Sequence, residues 1–170
     1  MAKSTKNYHY HEKFPLYWVQ TLKDELAKEF SGYSDFPGYL PPVKERSVIG
    51  TLAGKLPSKP QGITIGGTIY YTPRYPIVKE KFREKYGDEE ALVYEFGMYA
   101  HETFHAIDQE VTNTLRILGV KVMSGKVRWF ATYVLKLMKT PNAKTHPMEI
   151  PAYEFQKYLK NLARANDSTK

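Results

Sequence analysis

The chain has no cysteine. That excludes disulfide staples and every metal site built on thiolates. Long apolar runs are missing as well. No stretch approaches the roughly 20 apolar residues of a membrane-spanning helix. The opening MAKSTKNYHYHEKFPLYW lacks the apolar core of a secretory leader. The chain is expected to be soluble, and cytoplasmic by default. A phosphate-binding glycine loop is excluded too, because neither a Lys-Ser/Thr pair nor a helix start follows the glycines of GITIGGTIYYTP. No internal repeat is visible. Histidine is sparse, with five in the whole chain.

What is present is ordinary for a folded domain: 42% apolar and 25% charged residues over 170 positions. That length supports one domain with its own core. The net charge of +7 is uneven. Up to Val120 there are 15 basic and 15 acidic residues, and from Lys121 onward 10 basic and 3 acidic. A basic final third can attract nucleic acid, an anionic surface or an acidic partner. A solvated lysine-rich face is the commoner use of such charge.

Met1 to Phe14 is polar and reads as an N-terminal arm, with His9 and His11 among tyrosines. The domain proper is expected over 15–165, with 166–170 as a frayed tail. Leu16, Val19, Leu22, Leu26 and Phe30 mark one face of a first helix, started by Pro15. Ser31 to Pro42 reads as a loop, and Val48 to Leu56 as a short strand. In Gly62 to Pro73, β-branched and aromatic residues flank Gly66-Gly67, the pattern of a tight hairpin. A charged helix is expected from Ile77 to Tyr86, with Asp88 as a cap for the next. That next helix should run from Glu89 to about Leu118, ended by Gly119. Lys126 to Lys139 has helical amphipathicity. A last helix is expected from about Met148 to Ala163.

The long central helix carries YAHETFHAIDQ, Tyr99 to Gln109. Residues four apart on a helix lie on one side. His101 and His105 therefore aim two imidazoles at one point, which is how a helix chelates Zn²⁺. Glu102 is turned about 100° away. It flanks a metal there and can accept a proton from a water molecule that the metal activates. Tyr94, Met98, Asp108 and Thr112 share the histidine side, and Phe96, Phe104 and Ile107 make an adjoining apolar surface. A catalytic zinc needs a third ligand from another element. An H-x-x-G-x-x-H extension is absent, since Val111 stands in its place. The best remaining segment is HPMEIPAYEFQ, His146 to Gln156. Its carboxylates are Glu149 and Glu154, and Glu149, Ala152, Tyr153 and Gln156 fall on one helical face.

ITIGGTIYY, HETFHAIDQ and HPMEIPAYEFQ occur in that order. Together they resemble the zincin-like metallopeptidases of the glutamate-ligand (gluzincin) type. The likeness is to a small zincin-like domain family of unknown function found in toxins and contractile injection systems. It covers roughly Gly62 to Leu159. Asp108 stands where that family often has Gln, His146 replaces an Asn, and Pro151 replaces a frequent Glu and fits only in a first helical turn. The resemblance implies an α+β, mostly helical fold with a small twisted sheet packed on the HExxH helix. It also implies Zn²⁺ on His101, His105 and Glu149, with Glu102 as catalytic base.

The expected activity is hydrolysis of a peptide or protein substrate. Tyr153 or His146 could serve the developing oxyanion, with Asp108 nearby, and Tyr70 and Tyr71 could line a groove. For each of these four aromatic residues, packing of the sheet, helix or loop is the commoner use. Two alternatives stand beside it. One is a non-catalytic zinc fold serving as a structural or delivery component of a toxin, injection system or virion. The other is a basic nucleic-acid-binding module. An intact Glu102 favours the peptidase over a structural zinc fold, which needs no base.

Overall fold

The computed structural model describes residues 9–32, 39–56, 60–111, 115–117, 120–123, 132–133 and 146–167. The architecture is α+β and mostly helical, with a small three-stranded sheet. No helix among the described residues is long and apolar enough to cross a membrane.

The N-terminal segment departs from the expected arm. Tyr10–Lys13 form a 3-10 turn, and both Tyr10 and Phe14 are buried. Their rings pack against Tyr99 and Tyr71, and against Phe96 and Tyr99, respectively. Aromatic residues in a polar stretch supplied enough apolar area to dock it.

Helix α1, Leu16–Glu29, buries Trp18, Val19, Leu22 and Leu26. Leu22 and Leu26 are fully enclosed, and each contributes roughly 1.5–3 kcal/mol of burial. Phe30, at the end of α1, meets Phe104 at 5.1 Å between ring centres.

Strand β1, Val43–Lys44, precedes helix α2, Val48–Ala53. The expected strand over Val48 to Leu56 is corrected: its first part is helical. Ser47 caps that helix by accepting the Gly50 N–H, a donor that an extended chain would leave elsewhere. Short apolar runs do not tell strand from helix by periodicity alone.

The hairpin forms as expected. Strand β2, Gly62–Ile65, pairs antiparallel with β3, Thr68–Tyr71. Gly66 and Gly67 make the two-residue turn with φ of 61° and 78°, values that carry little penalty only for glycine. The sheet order is β1-β3-β2, with β1 parallel to β3. This leaves β2 at one edge.

Helix α3, Arg74–Tyr86, starts three residues earlier than expected. Asp88 is the first residue of helix α4, Asp88–Val111, and is ion-paired to Arg83 at 2.9 Å. The expected helix to Leu118 is likewise corrected. Leu115–Ile117 form strand β4, paired antiparallel with β5, Val120–Met123. Ile117, Val120 and Val122 are β-branched and favour extended backbone. Of the expected helix from Lys126 to Lys139, only Thr132 and Tyr133 lie within the described residues.

Helix α4 is the centre of the molecule and is packed by α3, β2, β3 and the last helix, α5, Ile150–Asp167. Ala152, Phe155, Leu159 and Ala163 form the buried stripe of α5, at spacings of three and four residues. Pro151 sits in its first turn, where a missing N–H costs nothing.

Candidate metal centre

The α4–α5 packing brings the two halves of the site together across more than forty residues of sequence. Glu149 ends the turn that leads into α5. Its N–H donates to the His146 carbonyl at 2.9 Å, and its own carbonyl accepts from Tyr153 N–H at 2.9 Å. The fully buried Ala152 beside it lets α5 lie close to α4. The carboxylate then projects at the histidine pair.

Glu149 Oε2 lies 3.2 Å from Nε2 of His101 and 3.2 Å from Nε2 of His105. The imidazole centres are 4.8 Å apart and nearly perpendicular. One ligand atom from each of the three residues lies within 4.8 Å of the others, and all three residues are buried. Donors bonded at about 2.0–2.2 Å to a tetrahedral ion stand about 3.3 Å apart. The donor set therefore fits a divalent cation, and its two nitrogens and one carboxylate oxygen suit zinc chemistry.

Electrostatics agree with the geometry. Burial alone would raise the Glu149 carboxyl, but hydrogen bonds from His101 and His105 outweigh it and hold the group far below the usual carboxylate range. Burial would lower His105, yet the Glu149 bond, with Glu102 and Asp108 nearby, raises it. The centre is a buried anion calling for positive charge. His101 Nδ1 is buried with no hydrogen-bond partner among the described residues.

Glu102 sits beside this centre, 5% exposed. The Thr64 hydroxyl donates to its Oε2 at 2.7 Å. The same hydroxyl lies 3.0 Å from the Glu102 main-chain carbonyl. Asp108, nearly one helical turn beyond His105, is half-buried and acts on that histidine electrostatically. Tyr153 lays its ring 4.6 Å from that of His101 and is 37% exposed. His146 is fully buried, and its Nδ1 accepts from Met148 N–H at 3.2 Å. Its Nε2 has no hydrogen-bond partner among the described residues. Glu154 is exposed and lines a separate groove with Glu25, Lys28, Phe104 and Tyr158.

The two hairpin tyrosines do not line one groove, and for Tyr71 the commoner expectation of core packing holds. Tyr71 points into the core, 1% exposed and stacked on Tyr75 at 3.9 Å. Tyr70 is half-buried on the opposite face, as strand alternation requires.

Four further residues stand near the site without belonging to its HETFH motif. Thr64 and Gly62 touch Glu102. Gln109 donates to the Thr64 carbonyl at 2.8 Å and is buried. Its signal was available, since it lies seven residues after Glu102, two helical turns along the same side. Tyr133 stands with its ring 4.6 Å from His146, and Glu149 acts on its hydroxyl electrostatically. Burial first, then Glu149, pushes that hydroxyl well above the usual tyrosine range, so it stays protonated.

No protein-family model, curated protein or solved structure matches the chain.

Proposed function

We propose that the chain is a zinc-dependent peptidase of the zincin type, with His101, His105 and Glu149 as metal ligands and Glu102 as general base. The observation that carries this reading is a carboxylate, Glu102, held beside a buried His-His-Glu donor set. A structural metal site has no use for that fourth group.

Zinc, when bound, supplies Lewis acidity that polarises a peptide carbonyl and makes water acidic near neutral pH. The chain's own residues do the rest. Glu102 accepts the proton of the attacking water and delivers it to the leaving amine. The protonated Tyr133 hydroxyl lies near Glu149, and the half-exposed Tyr153 packs its ring on His101. Either is chemically able to donate a hydrogen bond to a developing oxyanion. The buried walls keep bulk water from competing with these bonds.

The experiment is Glu102→Gln. The amide is nearly isosteric but accepts no proton at the working pH. The variant is expected to keep its metal and its thermal midpoint and to lose peptide hydrolysis by at least about 100-fold. Cleavage at the wild-type rate would remove Glu102 as the base. No cleavage by wild type across a broad peptide library would favour the non-catalytic zinc fold.

A further inference from the structure

Strand β2 meets helix α4 at one carboxylate. Gly62 and Thr64 are two residues apart on β2 and so present the same face of the sheet. Both are buried, and that face looks onto Glu102. The Thr64 hydroxyl has one proton, and its shorter contact, 2.7 Å, goes to Glu102 Oε2. At Gly62 a side-chain carbon would stand 2.7 Å from Glu102 Oε1 and 3.0 Å from its carboxyl carbon. The first of these is well inside van der Waals contact, so the carboxylate occupies the space a side chain at this position would need. The strand itself is tied down by Gln109, which donates to the Thr64 carbonyl at 2.8 Å.

We infer that Gly62 and Thr64 form a cradle that orients the Glu102 carboxylate, with Thr64 as the positioning residue that fixes Oε2 and Gly62 as the surface that stops the group from turning. This inference rests on the peptidase reading. The physical content is preorganisation. A glutamate has three rotatable side-chain bonds, and a base that must meet water at a single point loses rate when it wanders. Gly-x-Thr on the strand removes that freedom at both carboxylate oxygens, Oε1 against Gly62 and Oε2 on Thr64. Threonine is required for its hydroxyl and glycine for its lack of a side chain, so the two residue types have separate roles.

The test uses the zinc-loaded full chain as wild type, Thr64→Val, Thr64→Ser and Gly62→Ala. Peptide hydrolysis and the binding of acetohydroxamate are measured on each, the latter by calorimetry. Acetohydroxamate chelates zinc and places a proton donor where water would stand, so it reports on the base without any turnover. Thr64→Val is expected to lose about 10- to 100-fold in kcat, as for one hydrogen bond to a charged group, with KM changed less than about threefold. Its acetohydroxamate affinity should fall about tenfold. Thr64→Ser, which keeps the hydroxyl, should recover most of both. A residue with only a structural role would not show this kcat-selective loss and serine rescue. Thr64→Val equal to wild type in both measurements overturns the cradle while leaving the peptidase reading in place. If wild type cleaves no peptide, weakened acetohydroxamate binding in Thr64→Val supports the cradle although the peptidase reading fails, and unchanged binding overturns both. Should Thr64→Val fail to fold, Gly62→Ala decides, since it leaves the hydroxyl intact: full activity or full acetohydroxamate affinity there overturns the inference.

Discussion

The Gln109 side chain donates a hydrogen bond to the main-chain carbonyl of Thr64, 2.8 Å away and 45 residues back in the chain. Gln109 is 2% exposed. The bond fastens the sheet's edge strand to helix α4 from inside the core. Removing the donor leaves a buried carbonyl unsatisfied, at a cost of about 1–3 kcal/mol. Gln109→Leu is therefore expected to lose that much stability in urea unfolding. Because the strand also carries Thr64, a drop in peptidase activity should accompany the loss. Unchanged stability would mean that β2 is held by other contacts.

The donor set predicts about one zinc per chain. Elemental analysis of the purified protein should find it, and His105→Ala should fall to a small fraction of that. Two remaining ligands do not make a tight zinc site. Equal zinc in both proteins would eliminate the centre.

Glu149 and Glu154 should separate cleanly. Glu149 is 8% exposed and lies on both imidazoles, whereas Glu154 faces the groove beside α1. In chelator competition, Glu149→Ala is expected to weaken zinc binding by at least about 100-fold, as removal of one of three protein ligands does. Glu154→Ala should change it by less than about threefold. A larger loss from Glu154→Ala would reverse the assignment.

Glu95, on α4 but outside the candidate donor set, predicts an acid-sensitive element. Its Oε1 accepts from Tyr10 at 2.8 Å, Tyr75 at 3.0 Å and Lys79 at 3.2 Å, and also from Lys13. Burial alone would raise its pKa, but the Lys13 bond and the other donors outweigh burial and lower it. A depressed folded-state value gives stability that is present above the unfolded value and lost as pH falls through the folded one. Burial lowers Lys13, and Glu95 offsets this only in part. That effect operates at alkaline pH and leaves the acid window to Glu95. Wild type should exceed Glu95→Gln in stability at pH 7, and the gap should shrink as pH drops below about 4. Urea titrations at several pH values measure it. A gap independent of pH would show that Glu95 acts by packing alone.

Sequence alone determined what a local period can carry. HETFH places two imidazoles on one side of a helix because four residues make slightly more than a turn. Gly66-Gly67 determines a tight hairpin because both positions need positive φ. Pro151 and the apolar stripe of α5 locate the start of the last helix to within a turn, but its end runs to Asp167, past the expected Ala163 and into the expected tail. Local pattern failed where two backbones compete for the same residues. Val48 to Ala53 is helical because Ser47 caps it, and α4 ends at Val111 with a strand resuming at Leu115.

Tertiary structure decided which polar groups meet. Glu149 reaches His101 across 48 residues only because α5 packs on α4 through Ala152, Phe155 and Leu159. Thr64 reaches Glu102 across 38 residues only because β2 lies at the edge of the sheet over that helix. Tyr10 and Phe14 are core residues because rings from α4 and β3 receive them. Side-chain hydrogen bonds of this kind have no sequence period. They arise where the burial of apolar faces sets the distance between elements, and the polar atoms caught between those faces must then find partners.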